Sequence, residues 1–495
     1  MKCFERALAI QEKAYGHDDP RLATTLNEMG FCHLGLGQHQ EAMKCFERAL
    51  AIQEKACGHD DPRLATTLNG LGFCHLVQNQ HQEAMKCFER ALAIQEKAYG
   101  HDDPRLATTL NGLGVSHRVQ NQHQEAMKCF ERALAIQEKA YVHDDPRLAT
   151  TLNEMGFCHR DQNQHQEAMK CFERALAIQE KAYGHDDPRL ATTLNEMGFC
   201  HRDLGQHQEA MKCFERALAI QEKAYVHDDP CLFTTLNGLG FCHRDQNRHQ
   251  EAMKCFERAL AIQEKAYVHD DPRLATTLNE MGFCHLGLGQ HQEATKCFER
   301  ALAIQEKAYV HDDPCLATTL NGLGVCHLVQ NQHKEAMKCF ERALAIQEKA
   351  YGHDDPSLAT TLNEMGFCHR DQNQHQETMK CFERALAIQE RTYGHDDPLL
   401  ATTIINGLGF CHRDQNQHQE AMKCFERTLA IQKKAYGHDD PRLATTLNEM
   451  GFCHRLQNQH QEAMKCFERA LAIQEKAYGH DDQAYPGSLS RLKSP

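Results

Sequence analysis

An internal repeat of 42 residues constrains this chain of 495 residues more than any other feature. The loop motif HDDP places Pro20, Pro62 and Pro104 at this spacing. A period of this length is typical of arrays of one small structural unit, and it overrides the roughly three globular domains that length alone would suggest. The equivalent prolines further along are Pro146, Pro188, Pro230, Pro272, Pro314, Pro356 and Pro398.

The period slips at one place in the chain. Ile405 is an extra residue in the segment ATTIINGLG, so the next motif proline, Pro441, comes one position late. An inserted residue turns the remainder of a helix by about 100°. We therefore predict a π-bulge or a shifted helix start near Thr403.

Each period carries the signals of two helices. Asp19 before Pro20 is typical of an N-cap followed by proline at the first helical position. Apolar residues then recur at spacings of three and four until the glycines at 35 and 37 break the run. A second amphipathic run extends from Gln38 to about Cys57. No segment alternates apolar and polar residues over a strand length, so the pattern predicts an all-α fold.

A single hairpin of this size cannot cover its own apolar face, so neighbouring hairpins must stack. The sequence predicts about eleven hairpins over residues 20–482. Residues 1–19 are predicted to be a half repeat with only the second helix and its loop, because Met1 corresponds to Met43. Its uncovered apolar face would allow self-association. Residues 483–495 are predicted to be a disordered tail.

Composition excludes several kinds of partner. The net charge is -14 and the basic residues are mixed with acidic ones, so we expect no nucleic-acid partner. The longest apolar runs are of the ALAI type, far short of the roughly 18 residues that a membrane span needs. The 25 cysteines follow the number of repeats and do not form a dense framework. Reduced thiols in a cytoplasmic location are the interpretation they favour.

The repeat resembles the tetratricopeptide repeat (TPR), whose pattern of large residue, leucine-glycine, aromatic, alanine and aromatic is matched here in spacing. His33 replaces one aromatic, and Glu54 stands where a proline would end the second helix. The longer form of the repeat resembles those of kinesin light chain and nephrocystin-type sensor proteins. The residues that match the pattern are Leu26, Met29, Gly30, Ala42 and Phe46.

This resemblance implies an α-α superhelix, a TPR solenoid, that acts as a protein-interaction scaffold and binds extended peptides in its concave groove. Two alternatives remain open: a kinesin light chain-like cargo-binding subunit of a microtubule motor, and the sensor tail of a larger signalling ATPase. An upstream heptad coiled coil would favour the first, and an upstream phosphate-binding loop the second. None of the three has catalytic activity in this chain.

Metal and catalytic sites are not predicted. Cys32, His33, His39 and Cys45 could offer zinc ligands, but no CxxC spacing accompanies them, and buried cysteine also serves as a small apolar residue. None of the five serines lies in a GxSxG turn. A uniform array also lacks one concave site with distinct groups, so we expect neither enzyme activity nor a cofactor.

The predicted peptide-binding residues begin with an asparagine repeated on every first helix. An amide both donates to and accepts from a peptide backbone, so a ladder of asparagines could hold an extended segment without reading its sequence. The resemblance to kinesin light chain implies that use, whereas a solvated polar face is the alternative. The ladder consists of Asn27, Asn69, Asn111, Asn153, Asn195, Asn237, Asn279, Asn321, Asn363, Asn406 and Asn448.

Two turns further on, four repeats have leucine, as at Leu34 and Leu328, and seven have arginine. Arginine near an aromatic residue would favour acidic partners. Against this, an aspartate directly follows five of the arginines and would neutralise them. The arginines are Arg118, Arg160, Arg202, Arg244, Arg370, Arg413 and Arg455, and the aspartates are Asp161, Asp203, Asp245, Asp371 and Asp414.

Overall fold

The computed structural model describes residues 2–141, 144–225, 229–267, 271–308, 313–398 and 400–478. These residues form helices joined by short loops and contain no strand. The prediction of an all-α fold is therefore confirmed. The predicted tail at 483–495 and the end of the array at 479–482 lie outside the described residues.

The chain divides into two compact units, residues 1–246 and 247–495. In the first unit the helices are α1 (Lys2–Tyr15), α2 (Arg21–Gly35), α3 (His39–Cys57), α4 (Leu64–Val77), α5 (His81–Tyr99), α6 (Leu106–Val119), α7 (His123–Ala140), α8 (Pro146–Asp161), α9 (His165–Tyr183), α10 (Leu190–Asp203), α11 (His207–Ala224) and α12 (Leu232–Asp245).

The second unit has the same helical alternation. Its helices are α13 (His249–Ala266), α14 (Pro272–Gly287), α15 (His291–Ala308), α16 (Cys315–Val329), α17 (His333–Tyr351), α18 (Ser357–Asp371), α19 (His375–Tyr393), α20 (Leu400–Thr402), α21 (Phe410–Asp414), α22 (His418–Tyr436), α23 (Arg442–Leu456) and α24 (His460–Tyr478), with a π-helix over Thr403–Gly409 between α20 and α21.

The HDDP loop precedes the first helices, and at α8 and α14 the structure has the predicted aspartate cap with proline at the first helical position. At α2 the helix begins one residue later, at Arg21, although the Asp19 carboxylate still accepts from the Arg21 backbone N–H. Before α8, the Asp145 carboxylate accepts a hydrogen bond of 2.9 Å from the backbone N–H of Arg147, and Pro146 occupies the first helical position. The Arg147 guanidinium also binds Asp145 and lies 3.4 Å from the centroid of the Tyr141 ring. The loop is therefore closed by a cap, an ion pair and a cation-π contact.

The core repeats with the sequence. Phe46 of α3 is fully buried and lies between the first helices of two consecutive repeats. A Cβ placed on Gly30 or on Gly70 would come within 2.6 Å of this ring. Glycine is required at these points because the ring occupies the space of a side chain. Each second helix is thereby clamped between its own first helix and the next one.

Within the predicted half repeat, α1 packs on α2. Leu8 of α1 contacts the buried cluster of Leu22, Ala23 and Leu26. Ile10 of the same helix is 60% exposed. The first hairpin is thus covered on one side by a single helix that leaves apolar surface open.

The extra residue is absorbed in the π-helix at Thr403–Gly409, so the predicted π-bulge is confirmed. Thr403 keeps its place in the array, since its hydroxyl accepts from Asn363 at 3.0 Å and donates to Gln389 at 2.9 Å. Gly407, which follows the insertion, lies against the Phe382 ring as its equivalents do. The widened turn takes up the additional residue between two positions that both keep their neighbours.

Deleting Ile405 should convert Thr403–Gly409 into a regular α-helix. We expect the free energy of local opening to rise on the order of 1 kcal/mol, because regular i to i-4 hydrogen bonds are restored. Amide hydrogen exchange over residues 400–414 measures this change. Deleting Ala401, which lies on the preceding turn, serves as the control and should lower protection. Equal exchange in the wild type and the Ile405 deletion would contradict the expectation.

Candidate functional site

The ladder asparagines bind a threonine of the next repeat. The Asn27 side-chain N–H donates to the Thr67 hydroxyl at 2.8 Å, and this hydroxyl donates to the Gln53 side-chain oxygen at 2.7 Å. Thr67 is fully buried and Asn27 is 8% exposed. The amide therefore joins two consecutive first helices through a buried polar contact, with the intervening second helix as third partner.

The same bond recurs along both units. The asparagines were predicted from the sequence, whereas the threonines and glutamines were not, although both residue types repeat with the same period. The Asn406 side chain lies outside the described residues. The recorded pairs are Asn69 with Thr109, Asn111 with Thr151, Asn153 with Thr193, Asn195 with Thr235, Asn279 with Thr319, Asn321 with Thr361, and Asn363 with Thr403, at 2.7–3.0 Å.

The other end of most of these amides has no partner among the described residues. Their carbonyl oxygens are buried and accept no hydrogen bond, which costs free energy unless a donor is supplied. The oxygens concerned belong to Asn69, Asn111, Asn195, Asn279, Asn321, Asn363 and Asn448.

Shallow cavities lie above these bonds in the first unit. One of about 230 Å³ between α6 and α8 is lined by Thr108, Asn111, Tyr141, Thr150 and Glu154. Two others of about 310 and 350 Å³ use the same positions of other repeats. We call these spaces, each formed by consecutive first helices and the second helix between them, the junction cavities. Their walls combine exposed threonine hydroxyls, an amide and an aromatic ring.

Phenylalanines form a second feature of the same face. Phe31 is 38% exposed and packs edge-on against the buried Phe46 ring, with centroids 5.0 Å apart. Phe73 packs in the same way on Phe88. Phe31 and Phe73 both line the cavity of about 310 Å³ between α4 and α6. The first-helix face, defined by the Thr24, Asn27, Phe31 and Leu34 positions of all repeats, is therefore partly apolar.

The predicted arginines lie on this face, but acidic neighbours contact most of them. Arg118 donates to Asp161 of the next repeat at 2.8 Å, and its guanidinium lies 5.4 Å from the Phe157 ring centroid. The aspartate that follows each of five arginines approaches its guanidinium to between 2.9 and 3.6 Å. Arg455 lies 4.8 Å from the Phe452 ring centroid and has no acidic partner among the described residues.

A glutamate that the sequence analysis missed completes these ion pairs. Glu154 follows the ladder residue Asn153, and its carboxylate lies 3.7 Å from the Arg118 guanidinium of the preceding repeat. Burial raises the pKa of Glu154, while Arg118 opposes the shift. Glu196 pairs with Arg160 and Glu449 with Arg413 in the same way. The signal lay in the alternation of NEMG and NGLG after the ladder asparagine.

Thiols and imidazoles are part of the packing. Burial raises the pKa of Cys74 and of Cys87 to about 11, so neither is a thiolate at neutral pH. The His33 ring contacts the Gln38 side chain at 2.6 Å. Among the described residues no group of three or more His, Cys, Asp and Glu side chains could hold a metal ion. Nor does any helix in the described part of the chain combine the length and apolarity that crossing a membrane requires.

Several solved structures are similar to parts of this chain. One described as a Podosopora anserina kinesin light chain with nearly identical TPR-like repeats is 26% identical and covers 42% of this chain and 98% of its own, with a TM-score of 0.37. BtubC (BKLC) from P. vanneervenii is 20% identical over 47% of this chain and 94% of its own, with a TM-score of 0.42. The apo form of RapI is 14% identical over 75% of this chain and 98% of its own, with a TM-score of 0.56, and shares the fold.

No curated protein matches the chain significantly. The family model of the tetratricopeptide repeat, in contrast, matches from one end of the array to the other. The matched residues are 2–55, 22–97, 63–139, 147–223, 189–265, 273–349, 316–377, 357–406 and 401–476. With helices paired as hairpins throughout the described residues, the chain belongs to the tetratricopeptide repeat family.

Proposed function

We propose that the chain is a non-catalytic interaction scaffold that binds extended peptide segments along its first-helix face. The observation that carries this proposal is the recurrence of the junction cavities, with the same threonine, asparagine and aromatic walls at three junctions of the first unit. Hydroxyl and amide groups suit a peptide backbone, and half-exposed rings suit apolar side chains. Protein binding is also the general use of the family.

In this proposal the ladder asparagines act from the floor of the cavities. In the unbound chain their N–H groups donate to threonine and their buried carbonyl oxygens lack a donor; on binding, we expect a peptide N–H group to supply that donor. Satisfying an unpaired buried acceptor is favourable, so the ligand would gain free energy from it. Arginines without an acidic partner, such as Arg455, would add a preference for acidic residues.

We also propose a cytoplasmic location. All 25 cysteines are unpaired, and those on first helices are mostly buried with apolar neighbours. Disulfides form readily in oxidising compartments, so a chain with this many free thiols suits a reducing one. Localisation of the full chain with a fluorescent tag would test this.

Filling the junction cavities is the direct test of peptide binding. The double variant T108Y/T150Y places two rings in the cavity between α6 and α8, where both threonines are exposed. Random linear peptides displayed on phage and selected on the full chain supply the ligand, and its affinity is then measured by calorimetry. We expect a peptide that occupies this cavity to bind at least about tenfold more weakly to the variant, a loss of about 1.4 kcal/mol.

The matched control is K86Y/K128Y. These lysines lie exposed on the second helices α5 and α7, which flank α6, and pair only with local glutamates. The control should bind as the wild type does, and circular dichroism should show equal helix content in all three proteins. Peptides that bind T108Y/T150Y and K86Y/K128Y equally well, or the selection of no peptide at all, would refute the proposal.

A further inference from the structure

One junction of the second unit lacks two cations that its counterpart in the first unit carries. Between α6 and α8, Arg118 lies near Glu154, and Arg147 stacks on Tyr141. Between α16 and α18, the positions of these two arginines are Leu328 and Ser357. The carboxylate and the aromatic ring are both retained at this second junction, as Glu364 and Tyr351.

The two junctions share one framework. Asn111 donates to Thr151 at 2.8 Å, and Asn321 donates to Thr361 at 2.7 Å. Thr151 and Thr361 each donate to the glutamine of the second helix at 2.8 Å. The helices are therefore held in the same arrangement, and the junctions differ in their side chains. The positions that line the cavity between α6 and α8, including the valine of the first helix at Val325, recur here.

The Glu364 carboxylate forms no hydrogen bond and no ion pair among the described residues. Its side chain is half-buried, and burial raises its pKa. The equivalent carboxylates Glu154, Glu196 and Glu449 each face an arginine of the preceding repeat. A carboxylate withdrawn from water without a cation is costly, so the site gains from any cation that reaches it.

Tyr351 is the second uncovered group. Its side chain is 53% exposed, whereas Tyr141, Tyr183 and Tyr267 each carry an arginine guanidinium 3.3–3.5 Å from the ring centroid. Asp355, whose equivalents bind that guanidinium, here accepts only the backbone N–H of Ser357 at 2.9 Å. The junction thus presents a free ring face and two carboxylates that no arginine in the described part of the chain contacts.

We propose that this junction, resting on the proposed peptide binding, is a subsite for an arginine side chain of the bound segment, with Glu364 as its ion-pair partner and Tyr351 as its stacking face. Arginine suits the site better than lysine, since a planar guanidinium pairs in bidentate fashion with a carboxylate and stacks on a ring. At the junction between α16 and α18, the arginine of the peptide would supply the positive charge that Arg118 and Arg147 supply at the junction between α6 and α8.

The test uses the full chain and random linear peptides displayed on phage. Peptides selected by the wild type should be enriched in arginine at one position, and E364Q should abolish that enrichment. L328R should abolish the enrichment as well, because the new arginine would pair with the Glu364 carboxylate as Arg118 pairs with that of Glu154. A selected arginine peptide should bind either variant about tenfold or more weakly, the scale of one lost charge-assisted hydrogen bond.

E377Q is the matched control, since it removes an exposed carboxylate from the second helix α19 of the same hairpin, where Glu377 pairs with Lys380 at 2.8 Å outside the junction cavities. It should leave the arginine enrichment unchanged. Arginine enrichment that survives E364Q and L328R would overturn the subsite, as would selected peptides without any preferred arginine; in both cases peptide binding itself would stand. A selection that yields no peptide would overturn both. Without any peptide, E364Q should also raise the melting temperature, because it removes a carboxylate that has no ion-pair partner. E154Q removes the carboxylate near Arg118 and should not raise the melting temperature. A rise in E154Q and none in E364Q would contradict an unpaired Glu364.

Discussion

Replacing Phe172 by alanine is expected to lower the free energy of unfolding of its hairpin by about 3–5 kcal/mol, because the change leaves a cavity in a closely packed junction. The Phe172 ring is fully buried against Gly156 of its own repeat and packs with Met197 and Cys200 of the next. Hydrogen exchange over residues 146–203 should accelerate strongly. Distant hairpins should change little, because each hairpin of a repeat array contacts only its neighbours.

Phe157 provides the matched control for that variant. Its ring packs edge-on against Phe172, with the centroids 5.6 Å apart, but it is half-exposed on the first-helix face. Phe157→Ala removes the same atoms and leaves solvent in place of a cavity, so we expect a loss of about 1 kcal/mol. Equal losses for the two variants would mean that the junction relaxes around Phe172 and that the ring does not clamp the helices.

Acidification is expected to destabilise the array between about pH 4 and pH 2. The bound arginine lowers the pKa of Asp19, Asp61, Asp103, Asp145 and Asp187 to about 2. A carboxylate whose pKa is depressed by folding contributes stability above its unfolded pKa and loses it as the pH falls through the folded value. The repetition of one weak, exposed ion pair makes the total effect large.

Thermal unfolding followed by circular dichroism from pH 7 to pH 2 measures this dependence. The loop before Ser357 is an internal control, since Asp355 caps the helix there without an arginine. Hydrogen exchange, corrected for its intrinsic pH dependence, should show that residues 101–106 lose protection on acidification and residues 353–358 lose less. A melting temperature that is constant down to pH 2 would show that the arginine contacts contribute nothing.

Residues that repeat with the period made most of the fold predictable. Proline and aspartate gave the helix starts, the glycines of the loops gave the ends, and the apolar spacing gave the two faces. The effect of Ile405 was predictable for the same reason, because one residue too many in an otherwise constant register must widen a turn. These predictions depend only on residues that are close together in the sequence.

The contacts of the ladder were not predictable in this way. Asn27 and Thr67 are separated by 40 residues and meet only because two helices approach closely enough for a hydrogen bond of 2.8 Å. Periodicity assigns both residues to helices but does not give the distance between their side chains. Likewise, Glu364 lacks an ion-pair partner because the preceding repeat has Leu328 where other repeats have arginine. This property depends on the pair of residues and cannot be predicted from either one alone.

The hydrogen bonds from Asn to Thr and from Thr to Gln recur from repeat to repeat. The structure within one unit is therefore nearly unchanged by a shift of one repeat. An extended ligand displaced by one repeat within a unit would meet the same hydroxyls and amides, so its bound states would be nearly degenerate and would interconvert by sliding. Degeneracy increases the number of ways to bind without favouring any one of them. A junction that differs from the others, such as that of Glu364 and Tyr351, would make one of these bound positions more favourable than the rest and so set the position of the ligand.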